Sequence, residues 1–283
     1  MPQPTALPHA PLSGLTRLVA HLGVPTRSFT APRILNPWFA AEGIDAAVVP
    51  LGCGPADFPT FLPQVLRLSN VLGALVTMPH KATAAGLAAR LGPMAAVCGA
   101  CNVVRLSADG AVEGEMFDGA GFVHAAGTGA VAGRTGLVVG AGGVGAAIAA
   151  ALADAGAARL ILSDVDAARA RALAARLTAA GWRAEVGPPN AAAAQFAVNA
   201  TPLGMAAGDP MPFDPAALPP GALVGDVVLG AGRTPLLRAA DAAGCATVDG
   251  EEMLLAQLPA CLAYLGLPVP PPGTLRRPPP PDV

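Results

Sequence analysis

Charged and aromatic side chains are scarce in this chain of 283 residues, at 13% and 4% of the total. The formal net charge is only -2, and no basic tract or block of like charge occurs, so the sequence indicates neither a nucleic-acid nor a membrane-surface partner. Because 53% of the residues are apolar, the shortage of aromatic rings does not predict disorder. Leucine, valine, isoleucine and closely packed small residues must fill the cores of two ordinary domains or one large one.

One uncharged run, residues 137–153, is long enough to resemble a short membrane span. Its glycines, at positions 140, 142, 143 and 145, favour a strand, a tight turn and a buried helix instead. We therefore expect no membrane partner.

Cysteine is sparse and odd in number: there are five, and the N-terminus shows no signal-peptide pattern. We therefore expect free thiols and a reducing cytoplasm. Cys98 and Cys101 have the spacing of half a metal site, but no second pair of Cys or His residues complements them. Buried thiols are favoured over zinc, and we predict no metal.

The scarcest basic residue is lysine, since Lys81 stands alone against sixteen arginines. Arginine stays protonated at any working pH, whereas a lysine amine can exchange its proton. The apolar segment from Leu72 reads as a strand broken by Pro79, which places Thr77 and Lys81 at a strand end. Lys81 is therefore a candidate for proton transfer, although an ordinary surface lysine stays open on this evidence alone.

Short strands alternate with helices along the chain, which predicts a parallel or mixed α/β sheet in each of two units. In the first unit, which ends near residue 117, we predict strands at 16–24, 45–51 and 74–77 and helices at 36–42, 56–69 and 81–90. In the second unit we predict strands at 136–139, 159–162, 196–199 and 223–228 and helices at 119–126, 143–155, 166–180, 234–243 and 252–265. Residues 1–14 and the proline-rich residues 268–283 are predicted to be tails without regular structure.

A glycine-rich segment follows a Leu-Val-Val strand and opens an alanine-rich helix; its glycines are Gly140, Gly142, Gly143 and Gly145. The first glycine permits a tight turn, the second lets the backbone approach a pyrophosphate, and the last lets the helix pack on the strand. Asp164, at the end of the next strand, has the position of the acidic residue that binds the adenosine ribose and selects NAD over NADP. Asp164 could instead cap the following helix, although Asp166 can do that itself. The segment predicts NAD as the cofactor.

Six further segments stand in a definite order along the chain: Val76–Lys81, Gly99–Asn102, Phe117–Gly119, Asn199–Met205, Thr234–Leu237 and Gly250–Gln257. Together they resemble the motifs of the shikimate/quinate dehydrogenase family, and the resemblance covers about residues 17–266. It implies an α/β fold with an N-terminal substrate domain, a Rossmann-type dinucleotide-binding domain and a C-terminal helix that returns to the first domain. The predicted boundaries are 1–117 with 253–283, including the tails, for the substrate domain and 118–252 for the dinucleotide-binding domain. The family has its active site in the cleft between its two domains.

Motif position also implies roles for single residues: Lys81 and Asp118 as the catalytic pair, Thr77, Asn102 and Gln257 in contact with the substrate, and Thr201 in contact with the cofactor. Oxidation of a secondary alcohol removes the hydroxyl proton while hydride leaves for the nicotinamide, and an amine held near an aspartate can exchange that proton. Structural alternatives stay open, because Asp118 could cap a helix, and Asn102 and Gln257 could satisfy buried backbone groups.

The N-terminal segment departs from the family pattern Gly-x-Pro-x-x-x-Ser-x-Ser-Pro, in which two serines hold the substrate carboxylate. Aligned without gaps, these serines fall on Phe29 and Ala31. A shifted register would offer Ser28 and Thr30 but needs compensating gaps, so we favour the ungapped alignment. Leu75, Phe117 and Leu229 are also apolar, where the family has Asn, Thr and usually Tyr.

Loss of several hydrogen-bonding groups changes discrimination between substrates strongly. We therefore predict an NAD-dependent oxidoreductase that acts on a ring secondary alcohol other than shikimate, related to the enzyme of aromatic amino acid biosynthesis. The alternative is ordinary shikimate or quinate dehydrogenation, and the alternative from another class is a non-catalytic dinucleotide sensor. We expect a small-molecule substrate, no nucleic-acid partner, and a cytoplasmic monomer or homodimer.

Overall fold

The structure is a computed structural model that describes residues 12–229 and 232–277. The chain divides into two compact units. Unit 1 consists of Met1–Arg90, Asn102–Gly114 and Pro259–Val283, and unit 2 consists of Leu91–Cys101 and Glu115–Leu258. Contacts thus assign residues 91–101, 115–117 and 253–258 to unit 2, whereas the predicted boundaries assign them to the substrate domain.

Strands and α-helices alternate through most of the described chain. The strands are β1 Arg17–Gly23, β2 Ala46–Gly52, β3 Val71–Val76, β4 Arg90–Leu91, β5 Val103–Leu106, β6 Val112–Glu115, β7 Thr135–Val139, β8 Arg159–Ser163, β9 Ala184–Val186, β10 Phe196–Asn199, β11 Leu223–Asp226 and β12 Ala246–Asp249. The helices are α1 Ala31–Ala41, α2 Phe58–Val65, α3 Lys81–Leu87, α4 Pro93–Cys98, α5 Asp118–Ala126, α6 Gly143–Asp154, α7 Ala167–Ala179, α8 Pro235–Ala242 and α9 Gly250–Tyr264.

The first sheet has the strand order β2-β1-β3-β5-β6-β4. Strand β1 pairs in parallel with β2 and β3, while β3 and β5 are antiparallel, so the sheet is mixed. Helix α1 covers β2 with an apolar face that includes Ile34, Leu35 and Phe39. Asn36 fixes this contact, because its amide donates to the carbonyl of Val48 at 3.0 Å and accepts from the Val48 N–H at 2.8 Å.

The second sheet has the strand order β12-β11-β10-β7-β8-β9, and each of its five pairs of neighbouring strands is parallel. Numbered from β7, this is the order 3-2-1-4-5-6 of a doubly wound dinucleotide-binding sheet, with its switch point between β7 and β10. The carboxyl ends of these two strands are where such sheets bind their ligands. The fold is therefore α/β with a Rossmann-type sheet in unit 2, as predicted.

The uncharged run 137–153 forms the end of β7 and most of α6, whose small residues allow close packing in unit 2. A Cβ on Gly119 would lie 2.1 Å from the carbonyl oxygen of Ala147, so α5 and α6 approach closely at this glycine. Within the described part of the chain, no helix is both long enough and apolar enough to span a membrane. The run is therefore a strand end, a turn and a buried helix, as its glycines predict.

Most long elements lie within a few residues of their predicted positions, but short ones were missed. The strands β4, β5, β6, β9 and β12 and the helix α4 were not predicted, because segments of two to six residues are too short to show a period. Helix α1 begins at Ala31, not at residue 36, and α3 ends at Leu87 because the next residues join a strand, where the Ala89 N–H donates to Val112. Residues 12–14 and 268–277 have no helix or strand. The rest of the predicted tails, 1–11 and 278–283, lies outside the described residues.

Candidate functional site

The glycine-rich segment forms a tight turn between β7 and α6 in unit 2. Gly140 has a φ of 103°, which favours glycine, and its N–H donates to the carbonyl of Ser163 at 2.7 Å. A Cβ on Gly140 would lie 2.7 Å from the carbonyl oxygen of Ala200, and a Cβ on Gly145 would lie 1.9 Å from the carbonyl oxygen of Gly140. A larger residue at either position would force the backbone to move.

Gly142 differs from these two glycines because the space beside it is open. A Cβ there would meet no atom within 4 Å. Gly142 precedes Gly143, the first residue of α6, where helix N–H groups lack intrahelical partners and favour an anion. The turn therefore has both the room and the donors to hold the pyrophosphate of a dinucleotide.

Asp164 lies at the end of β8 and braces this turn. Its Oδ2 accepts from the N–H of Ala141 at 2.7 Å, and its Oδ1 accepts from the N–H of Asp166 at 2.8 Å. Asp166 caps α7, with its carboxylate accepting from Ala168 and Arg169. The guanidinium of Arg169 lies 3.7 Å from Asp164 Oδ1. Oδ2 keeps a second lone pair for a ribose hydroxyl. The cation beside Oδ1, Arg169, was not anticipated from the sequence.

Thr201 follows β10, next to the glycine turn. Its Cγ2 would lie 3.0 Å from a Cβ placed on Gly140. The hydroxyl of Thr201 donates to Asn199 Oδ1 at 2.6 Å and accepts from the N–H of Leu203 at 3.1 Å. The loops after β7 and β10 thus meet at the switch point, and local hydrogen bonds fix the second of them.

A buried polar network under this loop was missed by the sequence analysis. Asn199 Nδ2 donates to Asp226 Oδ1 at 3.0 Å, and the hydroxyl of Thr234 donates to Asp226 Oδ2 at 2.6 Å. All three residues are at most 1% exposed. Burial raises the pKa of Asp226, and the hydrogen bonds from its partners oppose this shift. The Asn-Ala-Thr and Thr-Pro-Leu segments were matched as separate motifs, and the aspartate that joins them carries no local signal.

Asp118 and Gln257 are the other predicted site residues of unit 2. Asp118 is the first residue of α5 and is 2% exposed. Gln257, on α9, is 6% exposed. A Cβ added to Gly121 of α5 would lie only 2.7 Å from the Cβ of Gln257, so the two helices approach closely there. Burial and then the charge of Asp118 raise the pKa of Cys98 to about 12, so this thiol stays protonated.

Thr77, Lys81 and Asn102 belong to unit 1. The N–H of Thr77 donates to the carbonyl of Leu22 at 2.9 Å, and the carbonyl of Asn102 accepts from the N–H of Val76 at 2.7 Å. Lys81 is the first residue of α3 and is half-buried. The ends of β1 and β3 therefore place Thr77 and Asn102 in one region of the sheet, and a short turn separates Thr77 from Lys81.

Phe29 lies in the same region, as the ungapped alignment predicts. Phe29 is 6% exposed. A Cβ added to Gly23 would lie 3.2 Å from Phe29 Cζ and 2.4 Å from Thr77 Cγ2, so both side chains approach the same point. Ser28 is exposed, and its hydroxyl donates to the carbonyl of Pro25 at 2.8 Å. The ring of Phe29, and not the hydroxyl of Ser28, therefore lies beside Thr77.

His21, near the end of β1, was not singled out in the sequence. Its ring stacks on Phe29 with centroids 4.1 Å apart, and its Nδ1 is buried without a hydrogen-bond partner among the described residues. Burial, and then the positive charge of Lys81, lower the pKa of His21 from 6.5 to about 3. The imidazole is therefore neutral at ordinary pH. The only signal in the sequence was a polar residue in a strand that is otherwise apolar after Arg17.

The remaining candidate positions are apolar or structural. Leu75 is 7% exposed, Phe117 precedes α5, and Leu229 is half-buried. His80 is 1% exposed; its Nε2 is 2.7 Å from the carbonyl oxygen of Cys53 and its ring stacks on another aromatic side chain. All five cysteines are free, and the described residues contain no group of three or more His, Cys, Asp or Glu that could hold a metal ion.

Comparison with known proteins adds three kinds of match. The family model described as "Shikimate dehydrogenase substrate binding domain" matches residues 22–104. A protein named shikimate dehydrogenase (NADP(+)) from Rubrobacter xylanophilus is 40% identical over 275 residues, which cover 94% of this chain and 96% of the relative. The quinate dehydrogenase of Corynebacterium glutamicum in complex with NAD has a TM-score of 0.79 and 31% identity, and the match covers 90% of this chain and 95% of that one. The shikimate 5-dehydrogenase of Listeria monocytogenes in complex with shikimate and NAD has a TM-score of 0.81 and 26% identity, with 92% and 95% covered.

Proposed function

Because the chain belongs to the shikimate dehydrogenase family and is an oxidoreductase of that type, we propose that it interconverts a ring secondary alcohol and its ketone. A nicotinamide nucleotide, when bound, supplies the hydride acceptor or donor. The observation that carries this proposal is the glycine turn of unit 2, which lies at the switch point of a dinucleotide-binding sheet.

We assign the binding of the nucleotide to the turn and to the adjacent loop, through Gly140, Gly142, Gly143, Gly145 and Thr201. The backbone of the turn and the first turn of α6 would receive the pyrophosphate, while Asp164 would accept hydrogen bonds from the adenosine ribose. The tight contacts at Gly140 and Gly145, which leave no room for a side chain, and the open space beside Gly142 support this assignment.

Lys81 and Asp118 would act on the reacting hydroxyl. In oxidation, the amine of Lys81 would take the proton of the hydroxyl while the alcohol carbon gives hydride to the bound nucleotide, and Asp118 is the second member of the proposed catalytic pair. In reduction, the same amine returns the proton to the carbonyl oxygen. Thr77, Asn102 and Gln257 would orient the ring through its other hydroxyls.

We propose a substrate that lacks the carboxylate of shikimate and quinate. Phe29, which stands at the position of a serine in the family pattern, lies beside Thr77. Leu75, at the position of an asparagine, is buried and its side chain gives no hydrogen bond. A buried carboxylate without partners would cost several kcal/mol. The relatives' names support the second candidate, shikimate or quinate, more directly than they support any other substrate.

For the nucleotide we propose NAD, because the Asp164 carboxylate would repel a 2'-phosphate. The curated relative named above is NADP-dependent by its name, and Arg169 beside Asp164 supplies a cation that a 2'-phosphate could use, so NADP is the second candidate. The structural neighbours from Listeria monocytogenes and Corynebacterium glutamicum were solved with NAD.

The test is a panel of ring alcohols, including shikimate and quinate, assayed with NAD and with NADP by the fluorescence of the reduced nucleotide. We expect oxidation of carboxylate-free ring alcohols with NAD. Efficient turnover of shikimate would establish the second candidate instead. A protein that binds the nucleotide but oxidises no alcohol in the panel would be a dinucleotide sensor, and the proposed function would be wrong.

A further inference from the structure

The side chain of His21 is a buried polar group of unit 1 to which the proposed reaction gives no role. It is 7% exposed, and its Nδ1 has no hydrogen-bond partner among the described residues. A buried polar atom without a partner costs about 1–3 kcal/mol. An apolar residue would avoid that cost, so the imidazole suits a partner that arrives from outside the chain.

The pairing of the strands places His21 directly beside one of the lost polar positions. Strands β1 and β3 are parallel, and His21 is paired with Leu75. Paired residues of parallel strands project from the same face of a sheet, about 5 Å apart. His21 therefore supplies a polar atom one strand away from Leu75, on the same face.

The imidazole of His21 is a polar group that carries no charge of its own. The ring of Phe29 covers one side of the imidazole, and the Cζ of Phe29 reaches the point that Thr77 also approaches. Lys81 is near enough for its charge to act on His21, so the imidazole is in the vicinity of the predicted catalytic amine. A neutral imidazole can exchange a hydrogen bond with a hydroxyl, but it gives a carboxylate no compensating charge.

We propose that His21 is a specificity-determining residue, whose imidazole binds an uncharged hydroxyl group of the ring substrate while Phe29 stacks behind it. The substrate class is a polyhydroxylated ring that bears a hydroxyl or hydroxymethyl group where shikimate bears its carboxylate. This inference rests on the proposed function and names the substrate class of the same site.

The experiment compares shikimate with its analogue in which the carboxylate is reduced to hydroxymethyl. The specificity constant kcat/KM for each is measured with NAD in the wild type, His21→Leu and His21→Gln. We expect His21→Leu to lower kcat/KM for the hydroxymethyl compound by at least about tenfold, which is the scale of one hydrogen bond. For shikimate, kcat/KM should fall by less than about twofold. His21→Gln, which keeps a hydrogen-bonding group, should stay within about threefold of the wild type.

Trp38→Phe is the matched control, because Trp38 also has a buried ring nitrogen, Nε1, without a partner among the described residues. It lies on α1 and takes no part in the proposed site. Its substitution should leave the ratio of the two specificity constants unchanged within about twofold. A ratio that moves as much in Trp38→Phe as in His21→Leu would show a general packing effect and overturn the proposal.

Two other results would overturn the inference while the proposed function stands: an equal loss for both compounds in His21→Leu, or no loss for either. If the wild type oxidises no ring alcohol, the proposed function fails, and the inference is judged by binding. Imidazole nitrogen NMR of the labelled protein with NAD, with His21→Gln to assign the signals, should then show a shift of the His21 nitrogens on addition of the hydroxymethyl compound. Absence of that shift would reject the role of His21.

Discussion

Unit 2 and unit 1 present two different kinds of candidate site. In unit 2 the proposed nucleotide contacts come mostly from backbone and from missing side chains, with Gly140 and Gly145 packed against carbonyl oxygens. In unit 1 the proposed substrate contacts come from side chains. Phe29 and Leu75 stand where the family pattern is polar, and His21 adds a polar group beside them. A backbone site tolerates few substitutions, whereas a side-chain site can change its ligand without a change of fold.

The largest effect is expected at Lys81, the proposed catalytic amine of unit 1. Lys81→Ala and Lys81→Arg should each lower kcat by at least about a hundredfold, because a guanidinium does not give up its proton. Binding of NAD should change little, since the amine serves the alcohol. A near-normal kcat for Lys81→Arg would show that only a positive charge is needed at this position.

The backbone character of the nucleotide turn can be broken by single methyl groups. Gly145→Ala places a Cβ 1.9 Å from the Gly140 carbonyl oxygen, so we expect weaker NAD binding by about tenfold or more and a loss of about 1–3 kcal/mol in the free energy of unfolding. Gly142→Ala is the matched variant, because its Cβ meets no atom within 4 Å. It should keep the stability of the wild type and lose affinity for NAD alone. Calorimetric titration and urea unfolding separate the two effects, and equal stability losses would contradict the geometry.

A smaller effect is expected from Asp164, the side chain proposed to select NAD over NADP. Asp164→Ala should narrow the preference between NAD and NADP by several-fold, by weakening NAD more than NADP. Asp164 also holds the Ala141 N–H, so Asp164→Asn, which keeps an acceptor, is the control for the turn. Specificity constants that favour NADP in the wild type would show that Arg169, and not Asp164, determines the nucleotide.

The smallest effect concerns the neutrality of the His21 imidazole. The folded pKa of His21, about 3, is below its unfolded value of 6.5, so the unfolded state takes up the proton first as the pH falls. The contribution of His21 to stability is therefore intact above pH 6.5 and lost progressively as the pH falls towards 3. Between neutral pH and pH 5.5, the free energy of unfolding should fall by about 1 kcal/mol less in His21→Leu than in the wild type. Urea unfolding at the two pH values measures this difference. Equal losses would show that the folded protein protonates this imidazole as readily as the unfolded chain.

The glycine turn was predictable because its signal is local. Strand, glycines and helix follow one another, and the acidic residue comes at the end of the next strand. The same holds for the long elements of both units. Short strands such as Ala184–Val186 have no period to detect, and their edges are set by pairing with neighbours that are remote in sequence.

The missed residues share another cause. Asp226 contacts Asn199 and Thr234 only after the second sheet has formed. In the same way, His21 stacks on Phe29 and pairs with Leu75 only after the first sheet has formed. The position of Phe29 beside Thr77 agrees with the ungapped alignment. This departure was visible in the sequence because it lies within a motif that can be aligned residue by residue. A polar residue gained in a different strand cannot be read in that way.

The pairing of His21 with Leu75 has a consequence for how such sites diverge. Selection for a hydrogen bond on this face of the sheet acts on two positions at once, because a polar group on either strand reaches the same space. A lineage can therefore exchange an asparagine on β3 for a histidine on β1 in two steps, with one intermediate that has both groups. Among relatives of this chain, the identities at positions 21 and 75 should then vary together, and their joint state should indicate which ring alcohols each enzyme accepts.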